Sequence, residues 1–167
     1  MGGIIAANYA AKSKSNSGLA GVISFSGNIC NERMLTDNPT SRHSMDIWQP
    51  ILTWGLKATI VKPNMPRLVR GRNNATTSAA PPSPSPRSKL TVDGIETLHS
   101  IIELDTHLTC PYNGYPNLSA YYADMSAAGK GDTAGIQKLR GIVAPTLVVH
   151  AMDDPIAPFG VALAEEM

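Results

Sequence analysis

The chain is poor in charge and in cysteine. Only 16% of its 167 residues are Asp, Glu, Lys or Arg, and 14 basic against 13 acidic side chains leave a formal net charge of +1. That balance gives no general attraction to nucleic acid or to an anionic membrane, since both need clustered basic surface. The two cysteines, Cys30 and Cys110, stand far apart and form neither a zinc signature nor a disulfide framework, so they read as free thiols. No apolar run approaches the roughly 20 residues that a membrane-spanning helix needs. Met1-Gly2-Gly3-Ile4-Ile5 has no basic stretch ahead of its apolar residues and makes a poor signal peptide. A Walker lysine loop, a G-x-G-x-x-G after a strand and metal-ligand spacing are all missing, which points to no cofactor and no metal. What is present, a hydrophobic share of 43%, suits one globular domain of ordinary size.

Residues 3–12 read as a helix rich in small side chains, preceded by two glycines and closed by the polar stretch Ser13 to Gly18. Leu19 to Ser26, bounded by Gly18 and Gly27, is a short apolar run, which is how a buried parallel strand reads. A second helix is expected over roughly Ser44 to Val61. There Met45, Trp48, Ile51, Leu52, Leu56, Thr59 and Ile60 recur at three- and four-residue steps and predict one apolar face. Pro50 is tolerated only near a first turn, so regular helix should begin close to it.

The Pro/Ser-rich stretch of about residues 70–89 cannot bury enough surface to offset its ordering entropy and reads as a disordered insertion within the domain. Apolar patterning resumes with Leu90, Ile95, Leu98, Ile101 and Ile102. A loop from Thr109 to Leu118, a short helix through Tyr121, Tyr122 and Met125, a second buried strand over 144–151 and a helix from Phe159 complete the reading. Alternating strands and helices favour an α/β class with a parallel sheet. Two strands alone do not make a stable doubly wound sheet, so an incomplete one is expected.

The most specific local signal is Pro145-Thr-Leu-Val-Val-His-Ala-Met-Asp-Asp-Pro-Ile-Ala-Pro158. A strand ending in a tight acidic turn places a carboxylate at the carboxyl edge of a parallel sheet, where catalytic groups of open α/β folds collect. Such a carboxylate can orient a histidine and stabilise its imidazolium. Asp153 and Asp154 also suit a plain turn, or a cap for the helix near Phe159. Met1-Gly2-Gly3 before a small-residue helix resembles the second half of a nucleophile elbow, G-x-S-x-G-G, with the serine immediately before Met1. A Gly-Gly pair also suits a flexible start ahead of any helix.

With the strand Leu19–Ser26 between these two ends, the chain resembles the α/β-hydrolase superfamily. More narrowly it is similar to the abhydrolase-domain branch of lipid and short- to medium-chain ester hydrolases. The narrower resemblance is carried by Ser24-Phe-Ser-Gly-Asn, by Gly114-Tyr115 with Tyr121-Tyr122-Ala-Asp-Met-Ser126, and by Ala151-Met-Asp-Asp-Pro155. It implies an incomplete α/β-hydrolase fold over residues 1–167, a parallel sheet with flanking helices and an inserted helical cap over about 40–127. It also implies that Asp154, directly before the proline, is the triad acid, with Asp153 as the fallback. Met1 would supply the oxyanion-hole N–H. Trp48–Val61 and Tyr115–Met125 would form the cap over an acyl pocket, although both also read as ordinary amphipathic core helices.

The order in that fold is Ser, acid, His. His43, His99, His107 and His150 all precede Asp154, and nothing precedes Met1, so neither nucleophile nor base is expected in this chain. Ser24 and Ser26 lack the flanking glycines of an elbow. His150 reads as a satisfied side chain inside the strand, and His107, near Asp105, as a loop residue. The expectation is an internal portion of a serine carboxylic ester hydrolase that turns over no ester by itself. A related acyltransferase, or a non-catalytic relative that pairs its open sheet edge with a partner, are the alternatives. An acyl ester or lipid is the expected substrate, with a membrane surface open to the intact protein. Cytoplasmic or peripheral-membrane placement is favoured, and the sequons at Asn74 and Asn117 matter only in a secreted protein.

Overall fold

The computed structural model describes residues 2–13, 18–31, 44–70, 92–151 and 154. In chain order the elements are α1 (Gly2–Ser13), β1 (Val22–Phe25), α2 (Gln49–Leu56), α3 (Lys62–Arg70), α4 (Val92–Glu96), α5 (Ile101–Leu104), α6 (Cys110–Asn113), α7 (Leu118–Met125), α8 (Thr133–Arg140) and β2 (Thr146–Val149). Turns of π-helix occupy Ser44–Trp48, Lys57–Val61 and Asp105–Thr109. The class is mixed α/β with a small parallel sheet. Two compact units divide the chain, one from Met1–Arg42 with Ser119–Met167 and the other, His43–Leu118, inserted between them in sequence.

In the first unit α1 forms where the small-residue pattern predicts a helix, and Lys12 in its last turn complements the helix dipole. It buries Ala7, Asn8, Ala10 and Ala11. Side chains that short let the helix approach closely, and Ala7 and Ala11 pack with Ile29, Cys30, Ala127 and Ala128 as the core of this unit. β1 and β2 pair in parallel, Val22 opposite Thr146 through Phe25 opposite Val149. Asp132 caps α8 by accepting from the Gly135 N–H at 2.9 Å.

Both strands were expected to be buried, and the structure corrects this. Val22 and Ser24 point inward, but Ile23 and Phe25 are 59% and 66% exposed, and Leu147 and Val149 across the ladder are exposed beside them. The inward positions of β1 lie on the side that α1 packs against, and the opposite face has no such cover among the described residues.

The inserted unit is built on one helical run, Ser44 to Arg70, longer than the expected Ser44–Val61. The α-helical part of the run begins at Gln49, next to Pro50 as expected, but the π-helical turn Ser44–Trp48 precedes it, so Pro50 lies inside the run rather than at its start. The face of this run differs from the apolar periodicity. Gln49, Thr53 and Lys57, at successive four-residue steps, are the buried side chains, while Trp48, Ile51, Trp54 and Ile60 are exposed. The physical reason is the turn packed against them. Lys57 Nζ donates to the carbonyls of Glu96 at 3.0 Å and Leu98 at 2.8 Å, and the Ile101 N–H donates to Gln49 Oε1 at 3.0 Å. Buried backbone groups must be paired, and here helix side chains pair them.

Val61, Ile95, Leu98, Leu104 and Leu108 make the core of this unit. Ser100 and Glu103 form a reciprocal capping box at the start of α5. The expected loop Thr109–Leu118 is helical over Cys110–Asn113, which continues the helical run from Ile101, with Pro111 soon after the π-helical turn Asp105–Thr109. The expected cap, about 40–127, contains this unit in sequence. Most of the Pro/Ser-rich insertion and the helix expected from Phe159 lie outside the described residues.

Candidate functional site

The carboxyl ends of β1 and β2 lie at one sheet edge, and the Ser26 N–H extends the ladder by donating to the Val149 carbonyl at 2.8 Å. Ser26 leaves the strand with φ +48°, the one non-glycine residue with positive φ among those described. The turn it starts is pressed against the N-terminus of α1. A Cβ on Gly3 would stand 2.8 Å from Ser24 Oγ and 3.0 Å from the Phe25 carbonyl oxygen. A Cβ on Gly27 would stand 2.7 Å from the Gly3 carbonyl carbon and 2.9 Å from the Ile4 nitrogen. Backbone meets backbone here, an approach that only glycine permits. Gly2 meets nothing within 4 Å, so Gly3 is the member of the pair that the contact requires. Ser24 lies in this crevice, wholly buried, its hydroxyl without a hydrogen-bond partner.

One residue beyond β2 stands His150, and four further on, Asp154. The Asp154 N–H donates to the Ala151 carbonyl at 3.4 Å. Its Oδ2 is 4.0 Å from His150 Nε2, with the imidazole 1% and the carboxylate 17% exposed. That separation is longer than a hydrogen bond but well inside Coulomb range in a shielded setting.

Asp154 therefore occupies the edge where the sequence locates it. Asp153, Met1 and His43 lie outside the described residues. His99 and His107 are exposed residues of the inserted unit. Ser24 faces inward. Ser26 is exposed, and its neighbours at two positions either side are Ser24 and Asn28. The His150–Asp154 proximity was missed by treating His150 as an isolated strand residue. The signal that would have found it is a histidine at the strand end four residues before the acid of the turn.

A second polar cluster in the first unit is structural. Lys138 Nζ donates to Asn8 Oδ1 at 2.8 Å and to the Ser126 carbonyl at 2.5 Å, tying α8 to α1 and to the end of α7. Burial, and then the nearby Lys12, hold its pKa below the usual lysine range, with Asp124 opposing them. Burial pushes the Cys110 thiol up to about 11, with Asp105 adding to the shift, so it is no nucleophile near neutral pH. Among the described residues no group of three or more His, Cys, Asp or Glu side chains is placed to hold a metal ion.

No family model, curated protein or solved structure matches the chain. At the carboxyl ends of the two strands stand one carboxylate, one buried imidazole and a glycine-lined turn.

Proposed function

We propose that this chain is part of a serine carboxylic ester hydrolase of the α/β-hydrolase type, acting on lipid or short- to medium-chain acyl esters, with Asp154 as the acid of its triad. The observation that carries the reading is Asp154 beyond the carboxyl end of β2, its carboxylate 4.0 Å from the buried His150 imidazole, at the sheet edge where catalytic groups of open α/β folds collect. Two further features support it. The glycine-on-glycine contact between α1 and the turn after β1 suits a helix that follows a nucleophile elbow. Both faces of the strand pair carry apolar side chains, as strands of a doubly covered parallel sheet do.

In this reading the serine comes immediately before Met1 in sequence and the catalytic base after Asp154. The serine oxygen attacks the ester carbonyl as its proton passes to histidine, and the alcohol leaves with that proton. Water then hydrolyses the acyl-serine by the same route. Asp154 keeps the imidazole of that base in its reactive orientation.

The test is fluorophosphonate labelling of the native protein isolated from its own source, followed by peptide mapping. The expected adduct is on a serine N-terminal to Met1, and Asp154→Asn slows its formation by about four orders of magnitude, the scale seen when a triad acid loses its charge. Native protein that stays unlabelled, or an adduct on a serine between Ser13 and Ser126, overturns the reading.

A further inference from the structure

His150 and Asp154 are held by their surroundings to different degrees. The Ser26 N–H donates to the Val149 carbonyl at 2.8 Å, so the ladder between β1 and β2 runs up to the residue before His150. Val148, two positions earlier and likewise turned inward, packs against the core around Ala7 and Ile29. The imidazole is 1% exposed, and a ring so enclosed keeps one orientation. Asp154 lies past the strand and is 17% exposed. A fixed ring thus stands beside a carboxylate that is partly open to the sheet edge.

A carboxylate has two oxygens and accepts hydrogen bonds on both, so a fixed donor on one of them sets the direction of the other. Oδ2 of Asp154 lies 4.0 Å from His150 Nε2, about 1 Å beyond a hydrogen bond. Catalytic hydrogen bonds are commonly long before the reacting groups assemble and tighten when they do. Direction matters here, because misplacing a reacting group by about 1 Å costs about a hundredfold in rate.

We propose that His150 is a positioning residue for the triad acid: its Nε2–H, held at the end of β2, takes Oδ2 of Asp154 and leaves Oδ1 aimed at the catalytic base. The proposal rests on the ester-hydrolase reading and adds to it a second residue of this chain, one that touches neither substrate nor serine. A side chain that backs a functional carboxylate in this way needs a rigid seat and a donor at one point, and the buried ring supplies both.

The test is the rate of fluorophosphonate labelling of the native protein carrying His150→Phe or His150→Gln. Phenylalanine keeps the shape of the ring without a donor, and glutamine keeps a donor near the Nε2 position without the ring. His150→Phe should slow labelling about ten- to a hundredfold, up to the cost of a 1 Å misplacement, and His150→Gln should restore a rate close to wild type. In an Asp154→Asn background His150→Phe should change the rate no further, because its effect runs through that carboxylate. His150→Leu, also without a donor, takes the place of the phenylalanine variant if that one does not fold. Labelling that survives in His150→Phe and falls in His150→Gln shows a ring needed only for packing and overturns the proposal, as does an undiminished effect in the Asp154→Asn background. Wild-type protein that takes no label removes the hydrolase reading itself, and the proposal with it.

Discussion

Gly2 and Gly3 are neighbours in the first turn of α1, and the structure assigns them opposite responses to the same substitution. Alanine gains helix propensity at either position, by a few tenths of a kcal/mol up to about 1 kcal/mol. At Gly2 nothing lies within 4 Å of the new methyl, so that gain stands. At Gly3 the methyl meets Ser24 Oγ at 2.8 Å, the Phe25 carbonyl oxygen at 3.0 Å and Gly27 Cα at 3.2 Å. Two of those three atoms are backbone and cannot rotate away, so α1 must lift from the turn. Overpacking of this kind costs about 1–3 kcal/mol, more than the propensity gain. Gly3→Ala should therefore be net destabilising, and Gly2→Ala neutral to stabilising. Removing the serine oxygen relieves one of the three contacts. In a Ser24→Ala background the penalty at Gly3 should fall by about 0.5–1 kcal/mol, a coupling typical of touching residues. Urea unfolding followed by circular dichroism is the suitable assay, because both tryptophans lie in the inserted unit and do not report on α1. Gly2 and Gly3 variants of equal stability would show that α1 is not seated on the turn after β1, and the geometry of the sheet edge would fall with it.

Lys57→Met keeps the side-chain length but strands the Glu96 and Leu98 carbonyls; unmet buried acceptors cost about 1–3 kcal/mol each, partly offset by no longer burying an ammonium. Tryptophan-monitored unfolding should show a loss of about 2–3 kcal/mol, and an unchanged midpoint would contradict the turn-pairing role. Glu103 is held below its ordinary 4.5 chiefly by the backbone hydrogen bond from His99, which burial opposes and the Ser100 N–H reinforces. Its folded pKa is depressed, so the stability it adds is present above pH 4.5 and lost as pH falls through the folded value. The thermal midpoint of the wild type should therefore approach that of Glu103→Gln only below pH 4.5, and a constant difference down to strong acid would refute this. Cys110, pushed from 9.0 to about 11, should react with a disulfide reagent at pH 8 about a hundredfold more slowly than an ordinary cysteine until urea unfolds the chain. A fast phase in the native protein would refute its burial.

Local pattern revealed α1, the middle of both strands and the start of the long helical run, because each depends on residues within one window. The same window misjudged which face of the run is buried. Ile51 and Trp54 look like core residues by spacing, yet Gln49, Thr53 and Lys57 are inside because a turn 39 to 52 residues away in sequence brings carbonyls and an amide that need partners. Pairing of that kind is a tertiary demand with no local signature. Pro111 misled as well, since it lies within the helical run Ile101–Asn113, just past a π-helical turn, where a proline in sequence looks like a stop. At the sheet edge the acid turn was legible from Asp154 before Pro155. The nearness of His150 depends on how tightly the turn folds back, which residue spacing alone leaves open.

The pairing of β1 with β2 joins residues 124 positions apart, Val22 with Thr146. Closing so long a loop costs about 4 kcal/mol in chain entropy, most of it before any ladder hydrogen bond forms. The inserted unit carries its own core between the strands, so it can collapse first and shorten the free loop. During synthesis the order is enforced. At about 5–20 residues per second, β1 emerges roughly 6–25 s before its partner exists, with the bulky side chains of Ile23 and Phe25 unpaired. The strand pair thus forms only after the whole insertion has been made, and a nascent chain paused within the insertion presents a lone apolar strand to whatever binds it first.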